Sequence, residues 1–142
     1  MIKVEIDSET IRIKLMQIDE KIQSNIKTAL NEVADYGVAD VRENVISKKQ
    51  FDGGRLADNK PSTIKRKGRN SPLIDTGAML SGLKKFKIND FEYYIGFTEK
   101  RDIYGKYLHA GTPKMEGRPV IGVSRKLKNF ALNKLNQITK QV

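Results

Sequence analysis

The sequence predicts an α+β fold in which a long N-terminal helix and a C-terminal helix pack on a small antiparallel sheet, with a long basic loop. Three observations carry that expectation. Apolar residues recur at intervals of three and four from Ile11 to Val45 and again from Leu127 to Val142, the spacing of one helical face. LKKFKIN and FEYYIGFT, separated by Asn89-Asp90, have the aromatic and β-branched content of a hairpin. The resulting order, β-α-loop-β-β-short α-β-α, is that of an α+β domain.

Taken in order, IKVEID alternates Ile2, Val4 and Ile6 with charged residues and reads as a half-buried strand. Asp7 and Ser8 offer N-caps for the first helix, whose core stripe is Ile11, Leu15, Ile18, Ile22, Ile26, Leu30, Val33, Gly37, Val41 and Val45. The stripe reads as one helix or two in tandem broken near residues 17–19, with Gly37 as a point of close packing. Residues 47–72 change character, with Gly53-Gly54, two prolines and eight Lys/Arg, and read as a flexible basic loop. Within it PSTIKRKG predicts one helical turn capped by Ser62 and ended by Gly68. Asp75-Thr76-Gly77 is turn chemistry, since Asp bonds its own backbone and Gly supplies positive φ. After the hairpin, Ile103, Tyr107 and Leu108 sit at near-helical spacing, RPVIGVS reads as a short strand, and Ser124 caps the closing helix.

A chain of 142 residues fits a single domain with one core, 1–142. No apolar run reaches the length that spans a bilayer, and MIKVEIDSET lacks the pattern of a secretory signal, so no membrane contact and a cytoplasmic site of synthesis are expected. The absence of cysteine removes disulfide and thiolate chemistry. Charge is asymmetric. Residues 1–47 hold six Lys/Arg and nine Asp/Glu, net −3, and residues 48–142 hold twenty-one and eight, net +13, which together give the +10 of the whole chain. The asymmetry favours an acidic partner such as nucleic acid, and equally suits a solvated basic face.

The one histidine, His109, lies in YLHAGTPKMEGRP. A lone imidazole has no second ligand, no positioned nucleophile and no orienting carboxylate at a recognisable spacing, so a structural role is expected rather than catalysis. Asp75-Thr76-Gly77 matches the Asp-Thr-Gly of aspartic proteases, but such a site needs a second aspartate, and the turn reading prevails. GGRLADNK lacks the Gly-Lys-Ser/Thr ending of a phosphate-binding loop. Asp75, Asp90, Glu92, Glu99 and Asp102 are dispersed rather than clustered as a two-metal nuclease requires. No catalytic residue, metal or cofactor is therefore expected. Lys60, Lys65, Arg66, Lys67 and Arg69 form a basic run suited to phosphate contact. Without interleaved aromatics or a groove-reading motif, such contact would be blind to sequence.

The ordered set STIKRK, PLIDTGAMLSGL, a hairpin with YYIGF, YGKYLHAGTPKMEGRPVIGVS and a closing amphipathic helix resembles the virion-morphogenesis or tail-completion proteins of long-tailed bacteriophages. The similarity spans roughly residues 10–140, and this chain has His109-Ala110 before Gly111-Thr112 where many relatives carry an acidic residue. The resemblance implies a non-enzymatic subunit of the neck or tail in the virion, active in tail completion and head–tail joining, self-associating into a ring. It also implies contacts with neck, connector, tail-tube or terminator proteins. Under it, Asp75, Thr76, Gly77, His109, Gly111, Thr112, Met115, Arg118 and Pro119 are expected to form structural or subunit-interface motifs. Lys60, Lys65, Arg66, Lys67 and Arg69 are expected to meet duplex DNA or an acidic partner. The alternative is a sequence-nonspecific DNA-binding domain.

Overall fold

The structure, a computed structural model, describes residues 8–72, 74, 77–98, 109–114 and 116–140. The strand expected at residues 2–7, the helical spacing at residues 103–108, and Asp75, Thr76 and Met115 lie outside the described residues. The α+β expectation holds. Helix α1 (Ser8–Ile46) is followed by α2 (Pro61–Lys67), α3 (Ala78–Ser81), the hairpin strands β1 (Leu83–Asn89) and β2 (Glu92–Phe97), and the C-terminal helix α4 (Arg125–Lys140).

α1 is one unbroken helix of 39 residues, because nothing at residues 17–19 interrupts its hydrogen bonding and the residues there tolerate helix. At 1.5 Å per residue it is about 58 Å long. Its C-terminal half builds the core. Val41 and Val45 cluster with Leu56, Leu83, Phe97 and Val120, and Val38, Ile74, Leu80, Ile95 and Ile121 pack around them. A Cβ at Gly37 would collide with Ile95 Cδ1 and touch Leu127, so the glycine lets α1 approach β2 and α4 together.

α4 runs antiparallel along α1. Phe130 stacks on Tyr36 with ring centroids 4.3 Å apart, Lys134 pairs with Glu32, and Lys126 lies 3.5 Å from Glu43. Ser124 performs two tasks at the start of α4: its Oγ accepts the Leu127 N–H at 3.0 Å as the helix cap and donates to buried Asp40 Oδ2 at 2.6 Å. The hairpin lies against another side of α1, where Lys85 reaches Asp35 and Asn31, each at 2.6 Å, and Lys27 lies 3.3 Å from Asp90.

β1 and β2 pair antiparallel with Phe86 opposite Tyr94 and Lys85 opposite Ile95. The loop is Asp90-Phe91 rather than Asn89-Asp90. Asn89 Oδ1 accepts the Phe91 N–H at 2.9 Å and pairs with Glu92, and a bulge between Lys87 and Asn89 shifts the register by one. The strand expected over RPVIGVS is a correction: residues 118–123 have no ladder and form no strand. Pro119 has no N–H to give, and its carbonyl is taken by a turn, from Phe51 N at 3.1 Å.

Segment 47–72, expected as a flexible loop, is held at several points. Lys48 takes φ +55 after α1, with Lys49 N bonded back to Asn44 O at 2.8 Å, a left-handed helix exit. Lys49 and Arg55 then bridge around a tight Gly53-Gly54 turn, and Leu56 is buried in the core. α2 begins on Pro61 with Lys60, not Ser62, as its N-cap, and ends on Gly68 at φ +73. Pro61 suits the first helical position because the missing N–H would be unpaired there anyway.

Candidate functional site

The two sequence regions that carry the candidate motifs converge on one surface. Arg118, only 8% exposed, donates from Nε to Ala57 O at 3.0 Å and from Nη2 to Asp58 O at 2.9 Å. Lys60 Nζ donates to Lys114 O at 3.1 Å. Residues about sixty positions apart thus form a platform of two loops.

Each loop is also braced within itself. Asp58 accepts from Asn70 Nδ2 at 2.8 Å and from Arg55 Nη2 at 3.1 Å. The Asn70 bond, with the Arg55 charge behind it, holds the Asp58 carboxyl below the ordinary carboxylate value of 3.8. In the second loop, Gly111 adopts φ +82, Thr112 Oγ1 accepts Lys114 N at 3.3 Å, and Gly117 passes over the backbone of His109 and Ala110. His109 itself is helical and exposed.

Among the described residues of this stretch, 109–114 and 116–118 close on their own backbone. A Cβ at Gly117 would sit 2.8 Å from His109 O, an atom that cannot move as a side-chain end would. Gly117→Ala is expected to cost about 1–3 kcal/mol as overpacking. His109→Ala or His109→Gln should stay within about 0.5 kcal/mol of the parent. Thermal melts of the variants decide between them, and the reverse order would assign the role to the imidazole.

The candidate basic residues divide by task. Lys67 Nζ is spent inside the fold, on Ser71 O at 3.1 Å and Ile74 O at 2.7 Å, and Arg69 Nε donates to Ser71 Oγ at 2.9 Å. Lys65 and Arg66 are exposed. All three of Lys65, Arg66 and Lys67 fall in the last turn of α2, where positive charge also complements the helix dipole. Gly77 has φ +80 and opens α3, as turn chemistry requires.

Sequence reasoning missed two surfaces. Ile11, Leu15 and Ile18 are not core: every residue from Ser8 to Lys21 is exposed. Half-burial begins only at Ile22, so from Ser8 to Lys21 the helix runs on as an exposed arm about 20 Å long. The outer face of the hairpin, with Phe86, Ile88 and Tyr94, is likewise exposed. The signal was present in the sequence, because Ile13 and Met16 fall off the stripe and β1 and β2 carry apolar residues on both faces.

Asp90 anchors the hairpin tip. The Lys87 bond first, then the Lys27 bond, lower its carboxyl from 3.8, and Lys87 is raised from 10.5 in return. Lowered carboxylates stabilise the fold above their unfolded value and lose that contribution as pH falls through the folded one. The protein is thus expected to lose stability as pH drops below 3.8, and Asp58→Asn and Asp90→Asn together to flatten that loss. Denaturation midpoints across acid pH test this, and an unchanged slope in the double variant would count against it.

Among the described residues no group of three or more His, Cys, Asp or Glu is arranged to hold a metal ion, and no helix is long and apolar enough to cross a membrane. No family model, curated protein or solved structure matches the chain.

Proposed function

We propose that this chain is a non-enzymatic assembly subunit of the neck or tail of a long-tailed bacteriophage or prophage, acting in tail completion and head–tail joining within the virion. One observation supports it above the others. The fold builds about 20 Å of helix, Ser8 to Lys21, that is exposed throughout, with Ile11, Leu15 and Ile18 along it. A soluble chain that exposes such an apolar stretch is shaped for a protein neighbour. The platform agrees, since Arg118 and Lys60 pre-set its geometry and a preorganised surface loses little entropy on docking. The test is electron microscopy of particles made without the chain. Full heads and unattached tails are expected, and normal joined virions would defeat the reading.

A second reading, sequence-blind binding of duplex DNA, is favoured by exposed Lys65 and Arg66 in a region of net charge +13. Replacing both by Gln leaves Lys67 to its structural bonds. If both meet phosphates, the salt dependence of duplex binding should lose about 1.8 in log–log slope. Joining that fails while DNA retention in particles is normal would assign the pair to an acidic protein surface instead.

A further inference from the structure

Resting on the assembly reading, we infer that the arm of α1 in one copy docks on the outer hairpin face of a second copy, a heterologous contact in which each subunit gives one surface and receives the other.

The arm is apolar on more than one side. Within residues 11–18, Ile11, Leu15 and Ile18 share a stripe while Ile13 and Met16 lie off it, and all five are exposed, by 42% to 61%. A helix that carries apolar residues on two sides belongs with at least one of them against an apolar neighbour. Its own body cannot supply them. The arm continues the axis of α1, the Lys27–Asp90 contact fixes the hairpin tip beside residue 27, and the hairpin turns Lys85 and Ile95 toward α1. The opposite face, with Phe86, Ile88 and Tyr94, therefore points away from the arm of the same molecule.

That outer face is suited to receive a helix. Phe86 and Tyr94 sit side by side with centroids 6.0 Å apart, and the Tyr94 ring lies over Gly96, where any Cβ would intrude. Lys84 stands at one end of this shelf and Glu92 at the other, both exposed. The arm carries the complementary order, with Lys14 before Leu15 and Asp19 after Ile18. Lys14 and Asp19 are about 7.5 Å apart along the helix. Lys84 and Glu92 are about 15 Å apart along the hairpin, a difference that flexible lysine stems span. One orientation then sets Lys14 against Glu92 and Asp19 against Lys84.

Pairing of arm with arm fits less well. Ile11, Leu15, Ile18 and Ile22 make two heptads, short of the three or four that sustain a coiled coil, and would leave the hairpin face bare. A heterologous contact covers both surfaces of every subunit, and repeated contacts of this kind close into rings where the rotation permits.

The test uses an arm variant, Leu15→Gln with Ile18→Gln, and a hairpin variant, Phe86→Gln with Ile88→Gln, all at exposed positions, with circular dichroism to verify folding. Light scattering should show an oligomer for the parent, monomers for each variant, and a one-to-one complex for their mixture, since the mixture restores one intact arm and one intact face. A parent that stays monomeric, a hairpin variant that assembles like the parent, or a mixture without complex overturns the inference. As a second measurement, the absence of cysteine allows Leu15→Cys and Ile88→Cys chains to be mixed and oxidised. Mixed disulfide dimers are expected, and self-pairing of the Leu15→Cys chain in their place overturns the inference. If both variants still complete virions, the docking fails and the assembly reading stands. If the docking holds but virions form without the chain, the assembly reading fails alone.

Discussion

Replacing Arg118 by methionine is expected to cost about 2–4 kcal/mol, because it strips charge-assisted donors from two carbonyls in one step. Nε and Nη2 of Arg118 satisfy Ala57 O and Asp58 O, and the side chain is buried at 8% exposure. Methionine keeps most of the apolar stem, so the loss reports the donors rather than a cavity. Arg118→Lys should recover less than half, since one ammonium cannot reproduce a planar fork aimed at two adjacent carbonyls. The loss should be felt at the next contact as well, with faster amide exchange at Phe51, whose N–H bonds to the carbonyl of neighbouring Pro119. A methionine variant within about 0.5 kcal/mol of the parent would mean that solvent satisfies both carbonyls and that Lys60–Lys114 holds the platform alone.

That arginine also shows where sequence reading stops. Local chemistry was legible: the helical period of α1 and α4, the Ser124 cap, the Gly68 exit and the close approach at Gly37 each follow from a residue and its immediate neighbours. Arg118 was expected as a structural or interface residue only through the resemblance, and its bond could not be read, because its partners lie about sixty residues away and no periodicity announces it. The stripe from Ile11 to Ile18 failed for a different reason. Spacing says which face of a helix is apolar, and it does not say whether anything covers that face. The missing strand at residues 118–123 is a failure of the same kind, since an apolar run becomes a strand only beside a ladder partner. Of the candidate basic residues, sequence could not separate Lys67, bonded inward to two carbonyls, from exposed Lys65.

Leu56→Ala should be the most damaging single change in segment 47–72, at about 2–5 kcal/mol. Composition alone would place Leu56 in a polar loop whose ordering nothing offsets. In the fold it is 1% exposed and packed among Val41, Val45, Leu83, Phe97 and Val120, with its N–H bonded to Lys48 O at 2.8 Å. Truncation leaves a cavity shared by α1, β1, β2 and the 118–121 stretch, elements too constrained by Gly37, Ser124 and Arg118 to collapse onto it. Proteolysis reads the same contact differently. Cleavage of the parent is expected first at the exposed tip, Asp52 to Gly54, with Leu56 to Lys67 protected. In Leu56→Ala, cuts should spread across the Arg55–Lys67 stretch, because the buried apolar anchor that offsets the entropy of ordering it is gone. If the parent is already cut throughout that stretch and Leu56→Ala leaves the melting temperature unchanged, the segment is held by α2 and the Asp58–Asn70 bond rather than by the core.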